Sequence, residues 1–195
     1  MALIDKSVRE LLDAFSSSDP TPGGGSASAL AASVGASLLM MVAGLPKTKH
    51  NSDEDRAALT GAARALAPLR AQLADAVDAD TAAYDAVVAA YRLSKATDAE
   101  RQARKDAVQR AMRGATDVPL GVMRLASQAL AQAAVVAAHG HAGASSDVGV
   151  AVALLKAGLE GARLNVAINV DSISDASYAA AVRVQVERLT ADCRA

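Results

Sequence analysis

Side chains with acid–base chemistry occur at only a few places in this largely apolar sequence. Asp80 and Tyr84 are four residues apart, so a helix would carry both on one face, and Lys95 follows soon after the predicted end of that helix. A carboxylate, a phenol and an ammonium group together could move protons. A plain helix surface is the alternative, with Asp80 solvated and the Tyr84 ring packed on the core.

A second carboxylate, Asp147, follows Ser146 at the predicted start of an apolar helix. The helix dipole favours the ionised form of a carboxylate at this end, and an anion beside a cleft could stabilise a cation or polarise a water molecule. Helix capping is the alternative role for Asp147. We therefore take Asp147, Asp80, Lys95 and Tyr84 as catalytic candidates and Ser146 as a substrate-binding candidate.

A glycine-rich loop, 20–26 with the sequence Pro-Thr-Pro-Gly-Gly-Gly-Ser, precedes an uncharged run to Leu45. Its three glycines let the backbone approach another group closely, and Ser26 is expected to cap the following helix. Such a loop at a helix N-terminus could bind an anion or a carbonyl oxygen, or it could be a tight packing turn. The substrate-binding candidates in this loop are Pro22, Gly23, Gly24, Gly25 and Ser26.

Two amides, Asn165 and Asn169, are four residues apart inside an apolar run, where amides need hydrogen-bond partners. They could join two helices or contact a ligand. His139 and His141 are close together, but His50 is the only other histidine, and carboxylates would be needed to complete a metal site. We therefore expect no metal, and we keep His141, in the loop before the second apolar helix, as a substrate-binding candidate.

The elements that position these residues are expected to be helices, because apolar residues recur with helical spacing and no segment alternates with period two. Helices are predicted over 3–15, 26–44, 52–93, 97–110 and 119–138, then over 148–170 and from Ser172 or Ser174 to Leu189. Pro68 is expected to kink or restart one of these helices, and Pro119 to break or restart another. The predicted fold class is all-α.

Two predicted helices, 26–44 and 148–170, are apolar on every side. This pattern predicts an antiparallel helical bundle in which these two helices are buried at the centre. Each of them begins at a loop of small residues. The two loops could therefore share one cleft, either within a subunit or across a dimer seam.

Length and charge narrow the function classes. The 195 residues suit a single domain spanning 1–195. Lys plus Arg number 20 against 21 Asp plus Glu, so no overall charge attracts nucleic acid or an anionic membrane.

No charged residue lies between Asp19 and Lys47, but this run is rich in Ala, Ser and Gly and lacks aromatic anchors. A buried helix is therefore expected there rather than a membrane span.

The composition also bears on assembly and location. Only 2% of the residues are aromatic, so Ala, Val and Leu must fill the core, and such cores often need a partner subunit. A homodimer or higher homo-oligomer is expected. Cys193 has no partner for an intramolecular disulfide, and the N-terminus lacks the pattern of a signal peptide. A cytoplasmic location is expected.

Five stretches in order along the chain resemble the cyclodeaminase/cyclohydrolase family. They are 20–26, then 92–97 (Arg-Leu-Ser-Lys-Ala-Thr) with Glu100 and Arg104, then Val-Pro-Leu at 118–120, Ser-Asp at 146–147, and 161–169 with Asp175. The resemblance covers nearly the whole chain. The family commonly has Pro where Ser94 stands and Asn where His141 stands, and the second difference bears on substrate preference.

This resemblance implies an all-helical subunit, assembled at least as a dimer, that binds a tetrahydrofolate in a cleft and uses no cofactor beyond that substrate. The expected reaction is the hydrolytic opening of 5,10-methenyltetrahydrofolate to 10-formyltetrahydrofolate. The alternatives are a formimidoyltetrahydrofolate cyclodeaminase, which releases ammonia, and a non-catalytic helical interaction module. Asp147 or Asp80 would stabilise the cationic substrate and accept a proton, and Lys95 or Tyr84 would donate one.

Overall fold

Residues 2–192 of the chain are described by a computed structural model and form helices joined by short loops. The α-helices are α1 Val8–Ser16, α2 Gly24–Ala43, α3 Asp53–Tyr91, α4 Asp98–His139, α5 Ser145–Val170 and α6 Ala176–Asp192, with 3₁₀ helices at Leu3–Asp5 and Ala142–Ala144. The prediction of an all-α fold is confirmed. The cysteine at position 193 lies outside the described residues.

Several helix ends lie where the sequence predicted them, at residues that cap or end a helix. Ser52 caps α3 by accepting a hydrogen bond from the amide of Asp55 at 3.1 Å. Thr97 and Glu100 form the capping box that opens α4. Gly44 ends α2. These boundaries were visible in the sequence because each depends on residues within one helical turn.

Other predicted boundaries are wrong. The N-cap of α2 is Gly23, and Ser26 lies inside the first turn of the helix. Pro119 does not break or restart a helix, because α4 continues through it to His139. Pro68 does not restart a helix either, because α3 is continuous there, and a kink at Pro68 stays a prediction. Pro119 is buried, so packing against neighbouring helices outweighs the hydrogen bond that a proline removes.

The last helix also begins differently from the prediction. Asp175, rather than Ser172 or Ser174, precedes α6, and it accepts hydrogen bonds from the amides of Ser177 and Tyr178, both at 3.0 Å. The hydroxyl of Ser177 also donates to this carboxylate, at 2.6 Å. This bond is the leading cause that lowers the pKa of the Asp175 carboxyl to about 2, followed by the bond from the Tyr178 amide. An ionised carboxylate therefore holds the start of α6.

Close packing joins α2 to α5, because glycines stand at the points of contact. A Cβ on Gly35 would lie 2.7 Å from the carbonyl oxygen of Ala151, and a Cβ on Gly158 would lie 2.6 Å from the carbonyl oxygen of Ser28. Later residues of α2 therefore contact earlier residues of α5. The two helices are antiparallel, so the start of α2 lies beside the end of α5.

Helix α3 packs along α2 and also runs in the opposite direction. The Ser26 hydroxyl donates to the carbonyl oxygen of Val77 at 2.8 Å, and the Ser33 hydroxyl donates to that of Arg70 at 3.3 Å. Later residues of α2 thus meet earlier residues of α3. The middle of α3 is held against the glycine-rich start of α2 by this register.

The two apolar helices are not buried on every side within one chain, and their burial at the centre of an assembled bundle stays a prediction. Val34 and Met41 of α2 are each 43% exposed, and Ile168 of α5 is 73% exposed. The described helices of this chain leave these side chains uncovered. Helix α2, part of α4, and the stretch Ala142–Val170 are long and apolar enough, by length and composition, to cross a membrane.

Candidate functional site

A cavity of about 380 Å³ lies where the start of α2, the middle of α3, the middle of α4 and the end of α5 meet. Its size is typical of small-molecule sites. Its lining consists of Pro20, Thr21, Gly23, Gly24, Gly25, Asp80, Ala83, Tyr84, Val87, Met112, Ala115, Asn165 and Asn169. The structure therefore brings together two of the four catalytic candidates and five of the nine substrate-binding candidates.

Asp80 supplies the carboxylate of this cavity and is fixed by the start of α2. The amide of Ser26 donates to Oδ2 of Asp80 at 2.9 Å, and the Ser26 hydroxyl lies 3.1 Å from the same oxygen. Asp80 thereby caps α2, where Gly23 has no side chain to do so. Burial raises the pKa of the Asp80 carboxyl above its ordinary value, and the hydrogen bonds from Ser26 oppose that rise.

The other oxygen of Asp80, Oδ1, lies against Gly25. A Cβ on Gly25 would be only 2.0 Å from Oδ1, whereas a Cβ on Gly24 would be 3.6 Å from its nearest neighbour, Nδ2 of Asn165. No residue in the described part of the chain forms a hydrogen bond with Oδ1, and this oxygen is not sealed from solvent. Gly25 is therefore the glycine that the approach of Asp80 requires.

The two asparagines present hydrogen-bond acceptors to the cavity. Nδ2 of Asn165 donates to the carbonyl oxygen of Gly161 at 2.8 Å, and Nδ2 of Asn169 donates to that of Ala115 at 2.7 Å. A carbonyl oxygen only accepts, so these contacts fix which way each amide points. Each Oδ1 is left without a partner among the described residues and is available to a ligand.

The cavity has the electrostatics of a site for a cation. Its lining holds the Asp80 carboxylate, the two amide oxygens and the phenol of Tyr84, and it includes no Lys, Arg or His. Asp80 and Tyr84 lie on one face of α3, as their spacing predicted, and Tyr84 is 41% exposed. Such a lining favours a ligand that is positively charged or rich in N–H donors.

Two residues of the glycine-rich loop do not line the cavity, although both were candidates for substrate contact. Ser26 is completely buried behind Asp80, so it cannot touch a ligand, because α3 packs over it. Pro22 follows a cis peptide bond and is half-buried, but it lies outside the lining.

Lys95 lies outside the cavity and does not reach back to Tyr84. It is exposed in the loop between α3 and α4, where its carbonyl oxygen accepts a hydrogen bond from Arg101 at 3.1 Å. Helix α3 continues from Tyr84 to Tyr91, which adds roughly 10 Å of helix before this loop begins. A proton donor within the subunit's own cavity would therefore be Tyr84 rather than Lys95.

Asp147, Ser146 and His141 lie near the other end of α5. Asp147 is in the first turn of α5, and the helix that separates it from Asn165 is roughly 27 Å long. Because α2 and α5 are antiparallel, the two small-residue loops lie at opposite ends of the subunit. The hypothesis of a shared cleft within one subunit is wrong, and the version across a subunit seam stays a prediction.

The loop before α5 borders a smaller cavity of its own. His141 lines this cavity of about 240 Å³ together with Lys49 and Ser145. Ala144 is the N-cap of α5 and forms no side-chain cap, so Asp147 is not the N-cap residue. His141 is thus separate from the Asp80 cavity within one subunit.

Two further depressions, of about 420 and 210 Å³, lie between α5 and α6. Glu160 and Arg163, which line the larger one, pair with each other at 2.6 Å. Four of the eight residues that line the smaller one are valines. Neither contains a residue singled out by its chemistry in the sequence, so the Asp80 cavity is the candidate functional site.

A buried carboxylate that the sequence did not single out, Asp55 of α3, joins the loop before α3 to the end of α4. Its Oδ1 lies 2.9 Å from Nδ1 of His139, and its Oδ2 accepts hydrogen bonds from the amide of His50 at 2.7 Å and the hydroxyl of Thr48 at 3.1 Å. These bonds, led by that from His139, hold the pKa of Asp55 far below its ordinary value, although burial opposes them. In the described residues, no group of three or more His, Cys, Asp and Glu side chains is arranged to hold a metal ion.

We expect Asp55→Asn to lower the thermal stability at neutral pH, with a difference from the parent chain that shrinks on acidification. The pKa of Asp55 is lower in the folded chain than in the unfolded chain, where Asp titrates near about 3.9. The ionised carboxylate therefore stabilises the fold above that pH, and this contribution is lost as the pH falls below it.

Circular dichroism melts from neutral pH down to about pH 3 would measure this difference. The matched control is Asp53→Asn, since Asp53 is exposed in the same first turn of α3. A stability difference between parent and Asp55→Asn that did not change with pH would contradict the assignment.

Known proteins resemble this chain in both sequence and structure. The sequence model of the Formiminotransferase-cyclodeaminase family matches residues 7–188. Methenyltetrahydrofolate cyclohydrolase of Methylorubrum extorquens is 38% identical, over 98% of this chain and 92% of that protein. Formimidoyltransferase-cyclodeaminase of Rattus norvegicus is 32% identical over 99% of this chain, which spans only 36% of that longer protein.

Among solved structures, the crystal structure of formiminotetrahydrofolate cyclodeaminase from Thermotoga maritima matches with a TM-score of 0.86 and 25% identity. The match covers 97% of this chain and 91% of that one. The family resemblance seen in the five sequence stretches is thereby confirmed. The chain belongs to the formiminotransferase-cyclodeaminase family.

Proposed function

We propose that this protein is an enzyme of folate one-carbon metabolism that hydrolyses 5,10-methenyltetrahydrofolate to 10-formyltetrahydrofolate. The observation that carries the proposal is Asp80, a single carboxylate with a raised pKa in a cavity whose lining has no cationic side chain. The similarity to a cyclohydrolase along nearly its whole length supports this choice of reaction.

The charge of the proposed substrate matches the cavity. Its five-membered ring contains an amidinium carbon between N5 and N10, and the positive charge makes this carbon electrophilic. The Asp80 carboxylate would stabilise that charge inside a partly buried site. The side-chain oxygens of Asn165 and Asn169 would accept hydrogen bonds from N–H groups of the pterin, and the glycine backbone would allow a flat ring to approach closely.

The reaction itself needs a base and then an acid. As the water oxygen bonds to the amidinium carbon, Oδ1 of Asp80 would take one of its protons. The C–N5 bond of the neutral adduct then breaks, and N5 receives a proton from the protonated Asp80, either directly or through Tyr84, whose hydroxyl would give its proton to N5 and take the one held by Asp80. The remaining adduct hydroxyl loses its proton to solvent as the formyl C=O forms on N10. One proton is released overall, and Asp80 returns to its ionised form.

A homo-oligomer is part of the proposal. The exposed apolar side chains of α2 and α5, including Val34, Met41 and Ile168, suit a contact with a second copy. In a two-fold dimer, the α2–α5 layer of one copy could run antiparallel to the α2–α5 layer of the other. The start of α5 in one copy, with its Asp147, could then lie near the cavity of the other copy. Light scattering in detergent-free buffer would test the assembly.

The test of function uses two substrates. We expect the purified chain to speed the loss of the methenyl chromophore of 5,10-methenyltetrahydrofolate and to release no ammonia from formimidoyltetrahydrofolate. Ammonia release without methenyl hydrolysis would favour the cyclodeaminase reaction, which is supported by the similarity to formiminotetrahydrofolate cyclodeaminase of Thermotoga maritima. Activity on neither substrate would leave the non-catalytic helical interaction module.

A further inference from the structure

The two oxygens of the Asp80 carboxylate have different surroundings. Oδ2 lies within hydrogen-bond distance of both the amide and the hydroxyl of Ser26, at 2.9 and 3.1 Å. Oδ1 has no hydrogen-bond partner in residues 2–192 and lies against Gly25, where the absence of a side chain leaves it room. A carboxylate in water has two equivalent oxygens, so this difference is imposed by the protein.

Ser26 of α2 packs against the turn of α3 that carries Asp80. It is fully buried, and its hydroxyl lies 2.8 Å from the carbonyl oxygen of Val77 and 3.4 Å from the hydroxyl of Thr81. With the contacts to Asp80, Ser26 touches three residues within about one turn of that helix. Since Ser26 does not line the cavity, it can affect a bound ligand only through the residues it contacts, and among these only Asp80 lines the cavity.

We propose that Ser26 is a positioning residue that reserves Oδ2 of Asp80 as a hydrogen-bond acceptor, so that Oδ1 is the oxygen that exchanges a proton with the reacting water. The role of Oδ1 toward water rests on the proposed function. The orientation of the Asp80 carboxylate does not rest on the proposed function, because it is set by the contacts with Ser26 and Gly25. The torsion that turns a carboxylate is soft, so these contacts are needed to hold it.

Ser26→Ala removes the hydroxyl and keeps the amide. The single proton of the Ser26 hydroxyl is shared between the carbonyl oxygen of Val77 at 2.8 Å and Oδ2 of Asp80 at 3.1 Å. A hydrogen bond donated to a carboxylate favours its ionised form, so the loss of this shared bond is expected to raise the pKa of Asp80. The groups that face Asp80 in the cavity are the Tyr84 phenol on α3 and the amides of Asn165 and Asn169 on α5, and the lining holds no Lys, Arg or His. No charge change elsewhere in the lining is therefore expected to mask the effect.

The experiment measures this pKa directly, by a carbon NMR titration of carboxyl-labelled aspartate in which the Asp80 signal is identified by its loss in Asp80→Asn. We expect Ser26→Ala to raise the pKa of Asp80 and to move the acidic limb of the kcat/KM profile to higher pH. We also expect it to lower kcat about tenfold with little change in KM, the effect of about one hydrogen bond to a charged group.

Ser33→Ala is the matched control, because Ser33 is also buried on α2 and donates to a carbonyl oxygen of α3 at 3.3 Å, that of Arg70. It should leave the pKa of Asp80 and kcat unchanged. If Ser26→Ala does not fold, Ser26→Cys fills the same space with a much weaker donor and should raise the same pKa.

An unchanged pKa of Asp80 in the folded Ser26 variant would overturn the inference, whatever the activity. A raised pKa together with no folate turnover in any variant would instead refute the proposed function and leave the positioning of Asp80 standing. The titration and the assay thus separate the two failures.

Discussion

Asp80→Asn is expected to lower kcat for methenyltetrahydrofolate hydrolysis by about 10²–10⁴-fold while leaving the helix content unchanged. Asparagine keeps a side-chain oxygen that can accept the hydrogen bond of the Ser26 amide, so the cap of α2 is preserved. It cannot take a proton from water, and its neutral amide stabilises a cation less well. Initial rates at saturating substrate, together with circular dichroism, would measure both effects.

The control for this variant is Asp85→Asn, because Asp85 is an exposed carboxylate on the same helix that does not line the cavity. It should retain nearly full activity. The parent rate should also increase as the pH rises through the raised pKa of Asp80, since only the ionised form is a base, and this dependence should vanish in Asp80→Asn. Near-normal turnover in Asp80→Asn would contradict the proposed base and make Asp147→Asn the next variant to measure.

Gly25→Ala is expected to lower kcat by about 100-fold. The new Cβ would lie 2.0 Å from Oδ1 and 2.5 Å from Cγ of Asp80, so the carboxylate must move away from its position over the loop. Alanine is a better helix former than glycine by about 1 kcal/mol, so a weaker helix would not explain the loss. Steady-state kinetics and thermal melts of the same preparation would separate the two effects.

Gly24→Ala is the neighbouring control, because its Cβ would meet Nδ2 of Asn165 at an ordinary contact distance of 3.6 Å. It should reduce kcat much less than Gly25→Ala does. Equal losses in the two variants would show that the loop responds to any side chain, and that the contact between Gly25 and Asp80 has no special role.

The sequence was sufficient for features that depend on neighbours along the chain. The capping box of Thr97 and Glu100, the cap at Ser52 and the shared helix face of Asp80 and Tyr84 all follow from spacings of three or four residues. The all-α fold follows from the same helical periodicity. These features needed no knowledge of how the helices pack.

The features that the sequence could not predict depend on the direction and register of packed helices. Ser26 meets Asp80 across 54 residues of sequence, and Asp55 meets His139 across 84. From the sequence alone, Ser26 was expected to be the N-cap of α2. Only the packing of α3 against α2 shows that Gly23 is the N-cap and that Ser26 contacts Asp80. An antiparallel bundle was predicted, but not that the two apolar helices are antiparallel to each other. The hypothesis that their two loops share one cleft within a subunit was therefore wrong.

The position of Tyr84 in the cavity wall gives the protein an intrinsic optical probe. The chain has three tyrosines and no tryptophan. The hydroxyl of Tyr178 donates to Asp117 at 2.7 Å, and the ring of Tyr91 lies 5.4 Å from the guanidinium of Arg104, so both are engaged with neighbouring side chains. Because Tyr84 lines the cavity, quenching of tyrosine fluorescence by a bound folate should be strongest at Tyr84 and should weaken in Tyr84→Phe. This signal would report occupancy of the cavity without turnover, and so would measure folate affinity in Asp80→Asn as well.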